Sequence, residues 1–346
     1  MSPKKITLTL LISFFFFFSA SSQVAKNQYD NSVFDWFYDQ EEVLEVEIQT
    51  DLETFVDQKM TNDKLKGVFT ITNSADEVRS LPMSLRARGR FRRRLCDFPP
   101  VKIDFVKGGL TENGFNKFDE YKLVTHCFDN GIGKVYVFKE YLTYRLYQEL
   151  TDNSFRVQLL KIKYLNKKGK RKATAYGFMI EDEKELAARL QSDLVKDYYN
   201  ISHDSLILSE IHRHDVFQYM VCNTDWNLPM FRNMKLLWNT EKQRYFVVPY
   251  DFDFSGLVKA HYAVPNADLG QTNIRERHYM GITRSEEELK ETLALFQSKR
   301  DAMLRHIKQF KKLSADDRHD MITFINSFYD SLEDGSFKVL LEGMKK

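Results

Sequence analysis

The first half of the chain alternates apolar and polar residues over short stretches, the pattern of half-buried β-strands. In VLEVEIQT (43–50), Leu44, Val46 and Ile48 alternate with Glu and Gln. The same alternation predicts strands in GVFTIT, SLRARGRFR, VKIDF and YKLVTH, and a long hairpin from FRVQLLKIKYL and TAYGFMIE. One helix interrupts these strands at 134–151, where apolar residues recur at helical spacing.

The second half of the chain changes to helical periodicity. We predict a short helix in EKELAARLQ, a long helix at 204–222 and a hairpin from MKLLWN and RYFVVPYD. Two C-terminal helices are predicted to begin at the capping residues Ser285 and Ser314. The pattern therefore indicates an α+β fold with a strand-rich lobe containing one helix (23–181) and a helix-rich lobe (182–346).

The first 22 residues have the composition of a secretory signal peptide. Lys4 and Lys5 precede an apolar run at 6–18, and small residues follow at 19–22. An apolar run of 13 residues is too short for a bilayer-spanning helix, which needs roughly 20. We expect a secreted or periplasmic protein without stable membrane insertion.

The charge balance of the chain bears on its possible partners, and its cysteine content bears on a possible disulfide. The chain has 51 basic and 49 acidic residues, and without Lys4 and Lys5 the two classes balance, which argues against nucleic acid as the main partner. After export a disulfide can form. Cys96 and Cys127 share one strand-rich region and are the favoured pair, although sequence alone leaves the connectivity open, and Cys222 lies in an apolar helix.

The stretch VVPYDFDFSG (247–256) places two carboxylates, Asp251 and Asp253, at the end of a buried strand. Asp225 and Asn233 precede the hairpin to which that strand belongs. Because a short hairpin brings its ends together, we expect Asp225, Asn233 and Asp251 to converge. Hard oxygen ligands of this kind suit Mg²⁺ or Mn²⁺, which commonly share their coordination with phosphates.

This layout matches the needs of phosphoryl transfer, in which one Asp orients the attacking hydroxyl while an Asn and a second Asp hold metal on the phosphates. We assign these roles to Asp225, Asn233 and Asp251, with Asp253 as a further metal ligand. The alternative is a strand end with solvated acids.

An arginine-rich stretch, SLRARGRFRR (84–93), could supply cations for the phosphates. As a strand it would bury one face, formed by Leu85, Ala87, Gly89 and Phe91. The opposite face would present Arg86, Arg88, Arg90 and Arg92. Arg88 and Arg90 are our candidate nucleotide ligands, with Lys102 of the paired strand on the same face. Glu140 on the lone helix could pair with one of these cations. The alternative is a charged edge strand that resists aggregation.

The four residues His-Arg-His-Asp at 212–215 superficially resemble the His-Arg-Asp triplet of kinases. It lies in the middle of the long helix, well before the polar loop, so we predict a helix surface there.

Taken together, these motifs resemble the CotH-like secreted kinases, relatives of the spore coat protein H kinase with an atypical protein-kinase fold. The resemblance covers most of the chain after residue 22. RARGRFRRRLCDFPPVKIDF is similar to a strand pair of that family, and VYVFKEYLTYRLYQEL followed by AYGFMIE is similar to its helix and interlobe strand. FQYMVCNTDWNLPMFRN followed by VVPYDFDFSG is the most specific part.

The resemblance implies a two-lobed, protein-kinase-like fold that uses ATP with Mg²⁺ or Mn²⁺ to phosphorylate exported proteins. By motif, Asp225 takes the catalytic-loop Asp role, Asn233 the metal-binding Asn and Asp251 the metal-binding Asp. Glu181 falls where an adenine-contacting linker would start. The sequence departs from the family in the long spacing between Asp225 and Asn233, which leaves Asn227 as a rival, and in lacking the family's paired lysine.

Two other functions fit part of the pattern. A DxD motif after a strand also suits a metal-dependent glycosyltransferase, in which Asp225 would have no role. A catalytically silent envelope protein could use the arginine strand to bind acidic polymers.

Overall fold

The computed structural model describes residues 31–39, 41–196, 201–283 and 285–344. The predicted signal peptide at 1–22 lies outside these residues. Within the described ranges, no helix combines the length and apolar character needed to cross a membrane.

Seven strands close into a barrel in the order β1-β2-β3-β4-β5-β7-β6. The parallel pairing of β1 with β6 closes the barrel, and the other neighbours pair antiparallel. A separate three-stranded sheet has the order β10-β9-β8. The strands are β1 Leu44–Thr50, β2 Leu65–Thr72, β3 Val78–Ala87, β4 Val101–Phe105, β5 Glu120–Val124, β6 Val157–Leu165, β7 Arg171–Ile180, β8 Ser192–Leu194, β9 Met234–Asn239 and β10 Arg244–Pro249.

Helices flank the barrel and dominate the second half of the chain. Helix α5 packs against β7 of the barrel on one side and against α8 on the other. The helices are α1 Val33–Phe37, α2 Leu52–Asp57, α3 Arg92–Leu95, α4 Lys107–Glu112, α5 Ile132–Gln148, α6 Glu183–Arg189, α7 Leu208–Met220, α8 Glu286–Gln309, α9 Ala315–Glu333 and α10 Ser336–Gly343.

Two large apolar cores explain why the alternating segments fold as strands. The inward-facing residues of the barrel strands, such as Leu85 and Ile103, form one core. The other core joins α5 to α7 and to the C-terminal helices. The predicted α+β class is confirmed, whereas barrel closure through a parallel pair of distant strands was not predicted.

The predicted arginine strand is wrong beyond Ala87. Strand β3 ends there, and Gly89 turns the chain with a φ of 79°, which is a left-handed conformation suited to glycine. Residues 92–95 then form α3 instead of continuing the strand. Phe91, predicted to face the core, is 49% exposed.

The disulfide between Cys96 and Cys127 is formed. It joins the end of α3 to the chain that follows β5, and Phe98 pairs with Cys127 beside it. Cys222 is a buried free thiol, as the sequence indicated. The disulfide thus fixes the segment that carries the arginines against the segment leading into α5.

Candidate active site at the end of the hairpin

The loop that carries Asp225 begins where α7 ends. Cys222 has a left-handed φ of 54°, and Asn223 Oδ1 accepts the Asp225 N–H at 3.0 Å. The Cys222 carbonyl accepts the Gly256 N–H at 2.9 Å, so the chain after Asp253 runs beside the start of the loop. Backbone hydrogen bonds therefore hold the two carboxylate-bearing segments together.

The β9–β10 hairpin brings Asn233 beside the segment of Asp251. The Tyr250 N–H donates to the Asn233 carbonyl at 3.0 Å, just beyond the last paired strand residues. Asn233 Nδ2 donates to Asp225 Oδ2 at 2.9 Å, and Asp225 Oδ1 pairs with Arg232 at 3.1 Å. Asn233 thus contacts Asp225 through its side chain and the segment before Asp251 through its backbone, while convergence of the three side chains on one metal, and their chemical roles, remain predictions.

Asn227, the rival of Asn233 for the metal-binding role, stabilises the loop after Asp225. Its Oδ1 accepts the Met230 N–H at 2.9 Å, and its backbone forms a bridge with Arg232. This turn lengthens the path from Asp225 to Asn233 without moving Asn233 away, so Asn233 is the amide that touches the Asp225 carboxylate.

A buried guanidinium lies among three carboxylates at the end of the hairpin. Arg92 approaches Asp251 at 2.7 Å, Asp253 at 3.1 Å and Glu140 at 3.7 Å. We call Arg92, Glu140, Asp251 and Asp253 the Arg92 cluster. Glu140 is 2% exposed and its Oε1 has no hydrogen-bond partner. One cation therefore faces three acids, and one acid oxygen is unsatisfied.

Burial is the largest influence on the pKa values of the Arg92 cluster, and the neighbouring charges modify it. Burial raises the pKa of Glu140 to about 8 and that of Asp253 to about 6. Burial also opposes ionisation of Asp251, but Arg92 and then Arg88 lower its pKa below the usual value. Asp251 is consequently the most readily ionised acid of the Arg92 cluster.

Asp225 differs from the buried acids because its side chain is 35% exposed. Burial of the remainder raises its pKa, as does the charge of Asp251, while Arg232 and Asn233 oppose the rise. A partly exposed carboxylate with a raised pKa can accept a proton more readily than an ordinary Asp. This property fits a general base.

The backbone around Asp251 is held in an uncommon conformation. Asp251 has a φ of 67° and Asn233 a φ of 56°, both in the left-handed region. The Asp251 N–H donates to the Tyr144 hydroxyl of α5 at 2.8 Å. Phe252 is fully buried and packs edge-on against Tyr144, with ring centroids 4.8 Å apart. Asn and Asp adopt this conformation more readily than other non-glycine residues, and the contacts with Tyr144 hold Asp251 in it.

Lys122 on β5 lies near the Arg92 cluster and was missed by our sequence analysis. It pairs with Glu183 at 2.6 Å, and its Nζ lies 4.2 Å from the centre of the Tyr250 ring. Burial lowers its pKa to about 8. The charges of Arg88 and Lys122 both lower the pKa of Asp251, after the larger contribution of Arg92.

The predicted cations have different surroundings. Arg88 is partly buried beside Asp251 and Glu140, and its Nη1 has no hydrogen-bond partner. Arg90 is exposed in the turn before α3, so it does not share a strand face with Arg88. Lys102 pairs with Glu120 at 2.9 Å and lines a cleft together with Lys122 and Glu181. Nucleotide contact by these residues remains a prediction.

The side chain of Glu181 forms hydrogen bonds with two arginines. Its carboxylate accepts hydrogen bonds from Arg156 Nε at 2.9 Å and Arg189 Nε at 2.8 Å. Its Oε2 also accepts from Arg189 Nη2 at 2.9 Å and from the Arg156 N–H at 3.1 Å. The side chain of Glu181 is therefore structural, and any adenine contact would come from its backbone. We call Arg156, Arg189, Glu181, Glu185 and Asp35 the Arg156 cluster.

The donor set at the hairpin end fits a hard divalent cation. Glu140, Asp251 and Asp253 each offer an oxygen, and these oxygens lie within 4.8 Å of one another. Such carboxylate oxygens suit Mg²⁺ or Mn²⁺. Arg92 contacts the same oxygens, so a metal ion bound there must compete with its guanidinium or displace it.

Arg92 and Lys122 could have been found from the sequence. Lys122 is the polar residue between the inward-facing Tyr121 and Leu123, which the alternation in YKLVTH already indicated. Arg92 required recognition that Gly89 ends the strand. The prediction of a helix surface at residues 212–215 is wrong, because His214 and Asp215 are buried.

Comparison with known proteins finds no matching family model and no matching curated protein. Among solved structures, the chain is similar to the crystal structure of a Helicobacter pylori proinflammatory kinase, CtkA. The two share 12% sequence identity with a TM-score of 0.42, over 70% of this chain and 92% of that chain. These values describe a distant likeness of the backbone.

Proposed function

We propose that the protein transfers the γ-phosphoryl group of ATP to a hydroxyl group of an exported protein. The main support is the hydrogen bond between Asn233 and Asp225, formed where the hairpin also presents Asp251. This arrangement offers a base for the acceptor hydroxyl beside ligands for the phosphate charge. A two-lobed, kinase-like organisation of the barrel and the helical half is part of the proposal.

In the proposed step, the acceptor oxygen bonds to the γ-phosphorus while the bond to the β–γ bridging oxygen breaks. ADP leaves with the electron pair of that bond, and the acceptor proton passes to the Asp225 carboxylate. Asn233 holds Asp225 Oδ2 at 2.9 Å, which orients the carboxylate for this transfer. Its raised pKa favours uptake of the proton.

Cations of the barrel face would hold the phosphates. Lys122 and Arg88 are close enough to affect the pKa of Asp251 and lie on the barrel side of the carboxylates. Arg binds phosphate through two parallel donors, and Lys binds it as a point charge. Asp251 and Asp253 would hold Mg²⁺ or Mn²⁺, with Glu140 beside them and Asn233 as the sequence motif implies, and the ion would neutralise negative charge on the phosphate oxygens.

A secreted or periplasmic location remains part of the proposal. The disulfide between Cys96 and Cys127 supports it, because disulfides persist mainly in oxidising compartments. We expect the acceptor to be an exported protein with an accessible hydroxyl group and no nucleic acid to take part.

Incubation of the purified chain with labelled ATP and Mg²⁺ or Mn²⁺ tests the proposed function. We expect label in the chain itself or in exported proteins, and a metal-dependent rise of the melting temperature with ATP. Absence of both effects would overturn the proposal.

Asp225→Ala separates the kinase from the glycosyltransferase alternative. A kinase loses phosphoryl transfer in this variant, whereas an enzyme that needs only the DxD motif retains sugar transfer. The anion-binding alternative no longer has a single arginine strand face, because β3 ends at Ala87. Metal-independent binding of an anionic glycan that survives Asp251→Ala would favour it over the kinase.

A further inference from the structure

A chain of buried hydrogen bonds leads from Asp225 into helix α7. The Asp225 N–H donates to Asn223 Oδ1 at 3.0 Å, and Asn223 Nδ2 donates to Gln218 Oε1 at 3.0 Å. Gln218 Nε2 lies 3.2 Å from His214 Nε2, and His214 Nδ1 lies 2.9 Å from Asp215 Oδ1. We call Asp215, His214, Gln218 and Asn223 the α7 relay.

The α7 relay has one direction of donation. Because the Gln218 amide donates to His214 Nε2, that nitrogen is the acceptor and Nδ1 carries the hydrogen. Nδ1 then donates to Asp215, whose other oxygen accepts the Ile282 N–H at 3.0 Å. Each member thus donates toward Asp215, and the Asp225 backbone is the first donor.

The surroundings of the α7 relay leave little freedom for its members. Each is at most 1% exposed. Trp226 packs edge-on against His214, with ring centroids 4.7 Å apart, and its Nε1 donates to the Asn223 carbonyl at 3.1 Å. At Gly281, an added Cβ would lie 2.6 Å from Asp215 Oδ2, so this close approach needs glycine.

We infer that His214 and Gln218 are positioning residues that fix the Asp225 carboxylate for proton transfer. This inference rests on the proposed function. A buried polar network is a costly way to fill a helix interface, and apolar residues of similar volume are often at least as stabilising. The relay ends on the backbone of the proposed base, and a misplacement of about 1 Å at a reacting group can cost about 100-fold in rate.

Gln218→Met tests the inference, because it preserves length and removes both side-chain hydrogen bonds. We expect kcat to fall about 10- to 100-fold. The KM for ATP should stay within about twofold, since the relay reaches Asp225 and none of the proposed phosphate ligands. Hydrogen exchange at residues 223–226 should accelerate several-fold.

Thr283→Val is the matched control. Thr283 bonds His212 Nε2 at 2.8 Å in the same interface, so the variant also breaks a buried bond of α7, one that does not lead to Asp225. We expect a similar drop in melting temperature with unchanged kcat and unchanged exchange at 223–226. Should Gln218→Met not fold, Gln218→Glu keeps the shape and removes the amide donor to His214.

The outcomes separate the inference from the proposed function. Equal kcat in Gln218→Met and Thr283→Val, or equal exchange at 223–226, would overturn the relay. A wild-type chain without phosphoryl transfer would overturn the proposed function. In that case, faster hydrogen exchange at residues 223–226 in Gln218→Met alone would still show that the α7 relay holds this loop in place.

Discussion

The two buried charge clusters of the protein differ in how completely their acids are satisfied. In the Arg156 cluster, Glu181 accepts four hydrogen bonds from two arginines. In the Arg92 cluster, a single guanidinium faces three carboxylates, and Glu140 Oε1 has no partner. Both clusters have more acids than arginines, so the difference between them is one of hydrogen bonding. The acids of the Arg156 cluster are held by their arginines, whereas the unpartnered Glu140 oxygen leaves capacity for another ligand.

The positions of the two clusters agree with this difference. The Arg156 cluster joins α1 through Asp35, the start of β6 through Arg156 and α6 through Glu185 and Arg189. The Arg92 cluster lies where the hairpin end meets α3 and α5. We therefore expect substitutions in the first cluster to change mainly stability and those in the second to change mainly activity.

Asp251→Asn should have the largest effect on activity. Asn adopts the left-handed backbone conformation readily, so the variant should fold. We expect phosphoryl transfer to fall at least about 100-fold, in line with loss of a preorganised charge at a phosphate site. Rates measured with labelled ATP, alongside melting temperatures, check this. Retained activity would show that Asp251 does not serve the phosphates.

Glu181→Gln should lower the stability of the protein and leave its activity unchanged. The side chain of Glu181 is fully buried, and the substitution breaks its ion pairs with Arg156 and Arg189. Loss of a buried partner costs about 3–5 kcal/mol in the free energy of unfolding. Denaturant unfolding measures this loss. We expect kcat per folded molecule to be unchanged. A stable but inactive variant would mean that the Glu181 side chain serves the nucleotide after all.

Lys122→Met should raise the KM for ATP about tenfold, because it removes one phosphate cation. Lys102→Met removes the other candidate lysine of the same cleft, and an equal effect in both variants would mean that the cleft as a whole, and not Lys122 in particular, holds the phosphates. Burial lowers the pKa of Lys122 to about 8, so its positive charge is lost as pH rises through that value. Wild-type nucleotide affinity should weaken above pH 8, and this component should be missing in Lys122→Met. Parallel pH profiles of the two proteins would exclude Lys122.

Glu140→Gln should act on stability rather than on activity, visible as a pH dependence. Burial raises the pKa of Glu140 from 4.5 to about 8, so the folded state binds the extra proton between these values. Wild-type stability should therefore fall relative to the variant as pH rises from 4.5 to 8. Urea unfolding across this range measures the difference. A difference independent of pH would mean that Glu140 is ionised throughout.

The local parts of the fold and site could be predicted from the sequence. The β9–β10 hairpin depends on two adjacent alternating segments, and its closure is enough to bring Asn233 to Asp251. The loop at Asp225 follows from a helix end and a run of turn-forming residues. These features involve neighbours in the chain, where pattern and propensity are informative.

The remaining features depend on distant contacts that a sequence pattern does not contain. The alternation at 84–92 favoured a strand, but the disulfide at Cys96 and the turn at Gly89 direct Arg92 into the carboxylates instead. Trp226 packs on His214 and the Ile282 backbone binds Asp215, and sequence alone does not connect these residues.

Calorimetric titration with a non-hydrolysable ATP analogue, with and without Mn²⁺, tests the central claim most directly. We expect wild type to bind the analogue only when Mn²⁺ is present, and Asp251→Asn to lose this metal-dependent binding while remaining folded. Absence of binding in wild type, or binding that needs neither Mn²⁺ nor Asp251, would contradict it.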